Sequence, residues 1–295
     1  MPQAVISSGI SIEYKTMGDP SRPTLLWIMG FGAQLTAWPE ELMQMFVDQG
    51  FHVVLFDNRD CGLSHKHDGV VVETDKVTMQ AMMGEEVTVA VPYTLHDMAD
   101  DAIGVLDHLG IEKAHVLGAS MGGMIAQTVA IRHGRRVHSL TSIMSVPGDL
   151  AYGTPTEDAL AALLAPPAPS REDYIDSAKN WAVWCSKKHF DLADARERAA
   201  REYDRSYYPE GAQRQLAAIY ASGDRSDALR QLAIPTLVIH GRDDTLLTPS
   251  GGERTAELIP GSTFMYVADM GHDLPLPLWP LYVDAITSHA RRSHS

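Results

Sequence analysis

The stretch "KAHVLGASMGGMIAQTVA", Lys113 to Ala130, joins an apolar run to a helix-like run through one serine set among glycines. His115, Val116 and Leu117 read as the end of a short buried strand. Met124, Ile125, Ala126, Val129 and Ala130 recur at helical spacing. Between them lies Gly118-Ala119-Ser120-Met121-Gly122, a Gly-x-Ser-x-Gly pentapeptide. A tight strand-to-helix turn forces its central residue into a strained backbone, and side chains two positions away would collide. Glycine at 118 and 122 removes the colliding Cβ atoms. Such a turn holds Ser120 Oγ at the C-terminal edge of a sheet, at a helix N-terminus that favours developing negative charge. A glycine-rich connection without chemistry has the same composition, so a base, an orienting acid and oxyanion donors must be found elsewhere.

The run "IPTLVIHG" leads into Gly241-Arg242-Asp243-Asp244, and a carboxylate just past a strand's C-terminal end lies where open α/β sheets build their sites. Aspartate also favours turns for its own sake. Two adjacent carboxylates, Asp243 and Asp244, stand in that turn. In "STFMYVADMGHDLPLPLWP", Phe264 to Val267 read as a final strand, with Gly271 and His272 in the loop after it. Position therefore singles out His272 among 13 histidines. His115, His133, His240 and His289 read as structural or surface residues, and His96, in a helix's first turn, is a weaker rival base. Ser120, Asp244 and His272 follow one another in the order serine, acid, histidine.

The rest of the chain supplies a frame for these residues. "TLLWIMG", "HVVLFDNRD", "AHVLG" and "PTLVIHG" are continuous apolar strands, as burial on both faces of a parallel sheet requires. "SGISIEYKTMG" alternates like an early antiparallel strand. Helical patterns at Trp38–Gln49 and in "YTLHDMADDAIGVLDHLG" separate them, the second with Thr94 and Asp97 placed as a capping box. Strand–helix alternation predicts an α/β fold with a mostly parallel central sheet and helices on both faces. It breaks after Pro147, where two long helical patterns follow with no strand between them. The expected organisation is a core of residues 1–146 and 228–295, with residues 147–227 inserted as a helical cap over the sheet's C-terminal edge. Residues 65–91 read as a hairpin or flap near the site.

With 38 acidic and 24 basic residues the formal charge is −14, which opposes binding to nucleic acid or an anionic membrane surface. No apolar run approaches the ~18 residues of a membrane span, and the N-terminus lacks a signal-peptide pattern. Two cysteines, Cys61 and Cys185, form no metal-ligand spacing and no disulfide framework, which fits a reducing cytoplasm.

The pentapeptide, the Gly241-x-x-Asp244 turn and the Gly271-His272 loop resemble the α/β-hydrolase superfamily. The likeness extends to Asp57-Asn58-Arg59-Asp60-Cys61-Gly62-Leu63-Ser64, and "MGFGAQLTAWPEEL" with "DNRDCGLS" is most similar to aclacinomycin methylesterase-like carboxylesterases. The resemblance implies a serine hydrolase with Ser120 as nucleophile, His272 as base and Asp244 as its orienting acid. It also implies an oxyanion hole from the backbone N–H groups of Phe31 and Met121. Two positions depart from the pattern: Met29 stands where many relatives have histidine before the oxyanion loop, and Asp60 stands where glycine is usual. No organic cofactor or metal is expected. Met29, Met270, Trp181 and Trp184 are candidates for an apolar substrate site, with core packing as the plain alternative. The expected partner is a small or medium apolar ester, a methyl ester of a secondary metabolite or a lactone being options. The same triad also serves carbon–carbon hydrolysis, perhydrolysis or a receptor with little turnover. Oligomeric state stays open, a homodimer included.

Overall fold

The apolar runs form strands because each presents alternate residues to two separate cores. In the computed structural model, which describes residues 2–293, Leu25 and Trp27 pack on one side of the sheet, and Leu26 and Ile28 on the other. The strands are β1 (Gln3–Val5), β2 (Ser11–Met17), β3 (Thr24–Ile28), β4 (His52–Phe56), β5 (Ala114–Ala119), β6 (Val137–Ile143), β7 (Thr236–Gly241) and β8 (Thr263–Val267). They form one sheet in the order β1-β2-β4-β3-β5-β6-β7-β8. The β1–β2 and β2–β4 pairs are antiparallel and every other pair is parallel.

Helices α1 (Glu40–Asp48), α2 (Thr74–Met82), α3 (Leu95–His108) and α4 (Met121–Arg132) precede β6. Between β6 and β7 come α5 (Glu157–Leu163), α6 (Arg171–Ser177), α7 (Leu192–Ser206), α8 (Pro209–Ala221) and α9 (Ser226–Leu229). Helices α10 (Ser250–Leu258) and α11 (Trp279–Arg292) complete the chain. Leu42, Met43 and Phe46 of α1 share a core with Tyr282, Val283 and Ile286 of α11, while α3 and α4 cover the opposite face. Thr94 caps α3 through a full capping box, its side chain bonded to the helix while Asp97 reaches back to the Thr94 N–H.

Two elements differ from the sequence reading. Strand β6, "VHSLTSI", carries polar residues that hide its strand pattern; Ser139 and Ser142 are buried and bond His115 and Gln127. Residues 65–91 hold helix α2 rather than a hairpin, with Thr74 Oγ1 donating to the Gln213 carbonyl on α8 at 3.0 Å. Among the described residues, no helix is long and apolar enough to cross a membrane.

Candidate active site

Ser120 sits between β5 and α4 with φ 57° and ψ −124°, a conformation that ordinary side chains avoid. The neighbouring glycines make that turn feasible. A Cβ on Gly118 would stand 1.9 Å from the Gly122 carbonyl oxygen, and one on Gly122 would stand 2.0 Å from that of Ile28. The Ser120 N–H donates to Ile143 at 2.9 Å, and its carbonyl accepts from Ser145 Oγ at 2.8 Å. The strained residue is thus fastened at both ends to β6 and the loop after it. Its side chain is half-buried and lies against Gly30, where an added Cβ would come within 3.1 Å of Ser120 Cβ.

The loops after β7 and β8 bring an acid to a histidine. His272 Nδ1 lies 2.7 Å from Asp244 Oδ2. Asp244 Oδ1 accepts the N–H groups of Leu246 and Leu247, each at 2.9 Å. Burial pushes this carboxyl up, but His272 and His240 outweigh it and hold the acid below its ordinary value. Asp243 turns away to Arg242 Nε at 3.1 Å. The His272 N–H donates to the Trp184 carbonyl at 2.6 Å, and a Cβ on Gly271 would meet that oxygen at 2.4 Å. With Nδ1 tied to Asp244, Nε2 is the ring nitrogen open to another group. Among the described residues, no hydrogen bond joins His272 to Ser120.

Phe31 follows β3 and Met121 opens α4, and neither N–H donates to another protein group among the described residues. The Phe31 loop follows Met29 and is anchored by side chains from other elements. Gln215, fully buried on α8, accepts the Gly32 N–H at 2.9 Å and donates to the Arg59 carbonyl at 2.8 Å. Asn58 Nδ2 donates to the Met29 carbonyl at 2.8 Å, and Asp57 accepts the N–H groups of Leu35 and Leu63. Asp60 has φ 62°, which explains why glycine is usual there. Its buried carboxylate accepts from Arg214 Nε at 2.8 Å and Tyr93 Oη at 2.7 Å. Burial raises this carboxyl, but Arg214, the His67 N–H and Tyr93 together leave it lowered.

The other sequence candidates fall in several places. Met29 and the fully buried Met270 pack in the core shared by α1 and α11, so their side chains fill that layer. Trp181 packs against Ala178, Ala195 and Ala199 among the helices between β6 and β7, with Arg198 5.5 Å above its ring. Trp184 is half-buried and meets the His272 loop through its backbone carbonyl. His96 is exposed in the first turn of α3. Gln215 escaped the sequence reading, because a glutamine inside a helix carries no positional signal of its own; His240, read as structural or surface, is fully buried beside Asp244.

The chain belongs to the alpha/beta hydrolase fold family, whose model matches residues 23–276. It is 25% identical to rhodomycin D methylesterase DauP of Streptomyces sp. (strain C5), over 99% of each chain. A second relative, 3-oxoadipate enol-lactonase 1 of Acinetobacter baylyi, is 27% identical over 90% of this chain and 87% of its own. A solved meta-cleavage product hydrolase from Pseudomonas fluorescens superposes with a TM-score of 0.75 at 19% identity, covering 99% of this chain and 98% of that one, which speaks to the fold.

Proposed function

We propose that the protein is a serine carboxylic-ester hydrolase in which Ser120, His272 and Asp244 form a catalytic triad. The observation that carries this reading is the 2.7 Å pairing of His272 Nδ1 with a buried, ionised Asp244. It leaves Nε2 as the base, on the same sheet edge as a strained serine. Ser120 Oγ attacks the ester carbonyl carbon and its proton passes to His272 Nε2, while Asp244 holds the tautomer and stabilises the imidazolium. The tetrahedral oxyanion accepts from the N–H groups of Phe31 and Met121. Collapse breaks the carbon–oxygen bond, and the leaving alkoxide takes the proton from His272. Water then repeats the sequence on the acyl-enzyme, releasing the acid and restoring Ser120.

The methylesterase and the enol-lactonase reported above are named for a methyl ester and an enol-lactone, both carboxylic esters in the broad sense. That supports the ester reading over carbon–carbon cleavage. Residues 147–227 serve in this account as a cap whose Val183–Ser186 segment touches both loops of the acid–base pair. Thr245 Oγ1 donates to the Val183 carbonyl at 2.7 Å, and His272 N–H to that of Trp184 at 2.6 Å. Turnover of p-nitrophenyl esters of graded chain length, beside a γ- or δ-lactone series, tests the proposal. Measurable kcat/KM on at least one ester or lactone, lost in Ser120→Ala, is the expected outcome. Inactivity across both series would refute it.

A further inference from the structure

His240 is the penultimate residue of β7, fully buried, four residues before Asp244. Its Nε2 lies 2.7 Å from the Leu247 carbonyl oxygen and 3.4 Å from Asp244 Oδ2. Both neighbours are acceptors, so Nε2 carries the proton. Nδ1 is buried without a partner and faces Gly252 of α10, where an added Cβ would come within 2.4 Å of it. Nδ1 has no acceptor to donate to there, so Nε2 is the donor that the geometry defines. The Leu247 N–H in turn donates to Asp244 Oδ1 at 2.9 Å. His240 therefore closes a ring of contacts: imidazole to the Leu247 carbonyl, Leu247 N–H to Asp244, and Asp244 back toward the imidazole edge.

From this geometry we propose that His240 is a positioning residue, which fixes the 244–247 turn so that Asp244 Oδ2 stays aimed at His272 Nδ1. The proposal rests on the triad reading above and adds a fourth side chain behind the acid. Its Nε2–H lies 3.4 Å from Asp244 Oδ2 and favours the ionised carboxylate. Glycine at 252 is then explained as well, since any side chain there would press the ring off its two acceptors.

Two replacements separate this role from simple filling of the core. His240→Met keeps similar bulk and offers no donor. His240→Gln places an amide N–H near the Nε2 position. With a p-nitrophenyl ester, His240→Met should lower kcat at least about tenfold at nearly unchanged KM, short of the ~10⁴ that follows loss of an orienting acid's function. His240→Gln should recover most of the loss. The groups bearing on Asp244 are His240, His272 and the Cys185 thiol, with Asp273 acting through His272. Without the His240 contact, Asp244 is protonated more readily and its anion is a stronger partner for His272. Both changes carry the acid limb of the kcat profile to higher pH in His240→Met. Gly252→Ala, which presses on the same ring from α10, should reproduce the kcat loss and keeps the test open if His240→Met does not fold. Wild-type kcat and pH profile in these variants, or equal losses in Met and Gln, would overturn the proposal. A serine-directed fluorophosphonate is run beside them: absence of wild-type labelling at Ser120 points instead to failure of the triad reading.

Discussion

Every residue of β3, β4, β5 and β7 is buried, whereas the 15-residue helix α7 buries only Ala195 and Ala199. The sheet is held by apolar area removed from water, worth about 25 cal/mol per Å². The helices between β6 and β7 add polar fastenings to a smaller apolar contact through Ala218 and Leu229: Arg205 to Asp57 at 2.8 Å, Arg214 to Asp60, and Gln215 to the Gly32 and Arg59 backbones. Burial is general, and many sequences satisfy it. Those polar fastenings are particular, and each depends on one partner at one distance. The difference separates the proposed chemistry, built on backbone that the sheet makes rigid, from the parts that shape and anchor the site around it.

The largest expected effect lies in the core. Ser120→Ala should lower kcat by at least ~10⁴ while the melting temperature hardly moves, because the half-buried hydroxyl leaves no cavity and alanine inherits the same turn. A large fall in stability with modest loss of turnover would mean that the elbow is scaffolding. Next comes the turn after β7. Asp244→Asn should cost about 10²–10⁴ in kcat, since the His272 tautomer is no longer held, whereas Asp243→Asn should cost less than about tenfold. Reversed effects would move the acid to the neighbouring position.

At the boundary between the two regions, Gln215→Leu should reduce kcat about tenfold through a looser Phe31 loop. It should also reduce stability by about 1–3 kcal/mol, the cost of leaving the buried Arg59 carbonyl unpaired. Denaturant titration and steady-state kinetics read the two effects separately.

The smallest effect belongs to the helices between β6 and β7. Burial pushes the Glu202 carboxyl on α7 above its ordinary value of 4.5, with Arg198 and Tyr174 opposing it. The folded state then holds this proton more tightly than the unfolded one, so stability is lost as pH rises from about 4.5 through the folded value. Glu202→Gln should therefore raise Tm at pH 7 and leave it unchanged below about pH 4. Asp244 has the opposite sign. Its lowered carboxyl contributes stability that is present above 3.8 and is lost as pH falls further. A melting-temperature series across pH 3–8 checks both.

The same division governs what could be read from the chain. Continuous apolar strands and the glycines at 118 and 122 are consequences of local rules, so the parallel sheet was legible in its apolar runs and the family in the pentapeptide, the Gly241–Asp244 turn and the Gly271-His272 loop. Strand β6 was not, because His115 and Gln127, distant in sequence, satisfy its buried serines. Helix α2 was hidden because Met79 and Met82 stay exposed and it buries only Thr74 and Val77, so its apolar residues form no single buried stripe. Gln215, Arg214 and His240 act through contacts 4 to 183 residues away, and no spacing rule reports such pairs.

The central claim is that Ser120 is the nucleophile and that its reactivity depends on His272 and Asp244. Intact-mass and peptide-mass measurement after treatment with a fluorophosphonate tests it most directly. The account predicts one adduct, on the peptide carrying Ser120, formed at a rate that falls steeply in His272→Ala and Asp244→Asn. An adduct elsewhere, or a labelling rate at Ser120 unchanged in both variants, would contradict it.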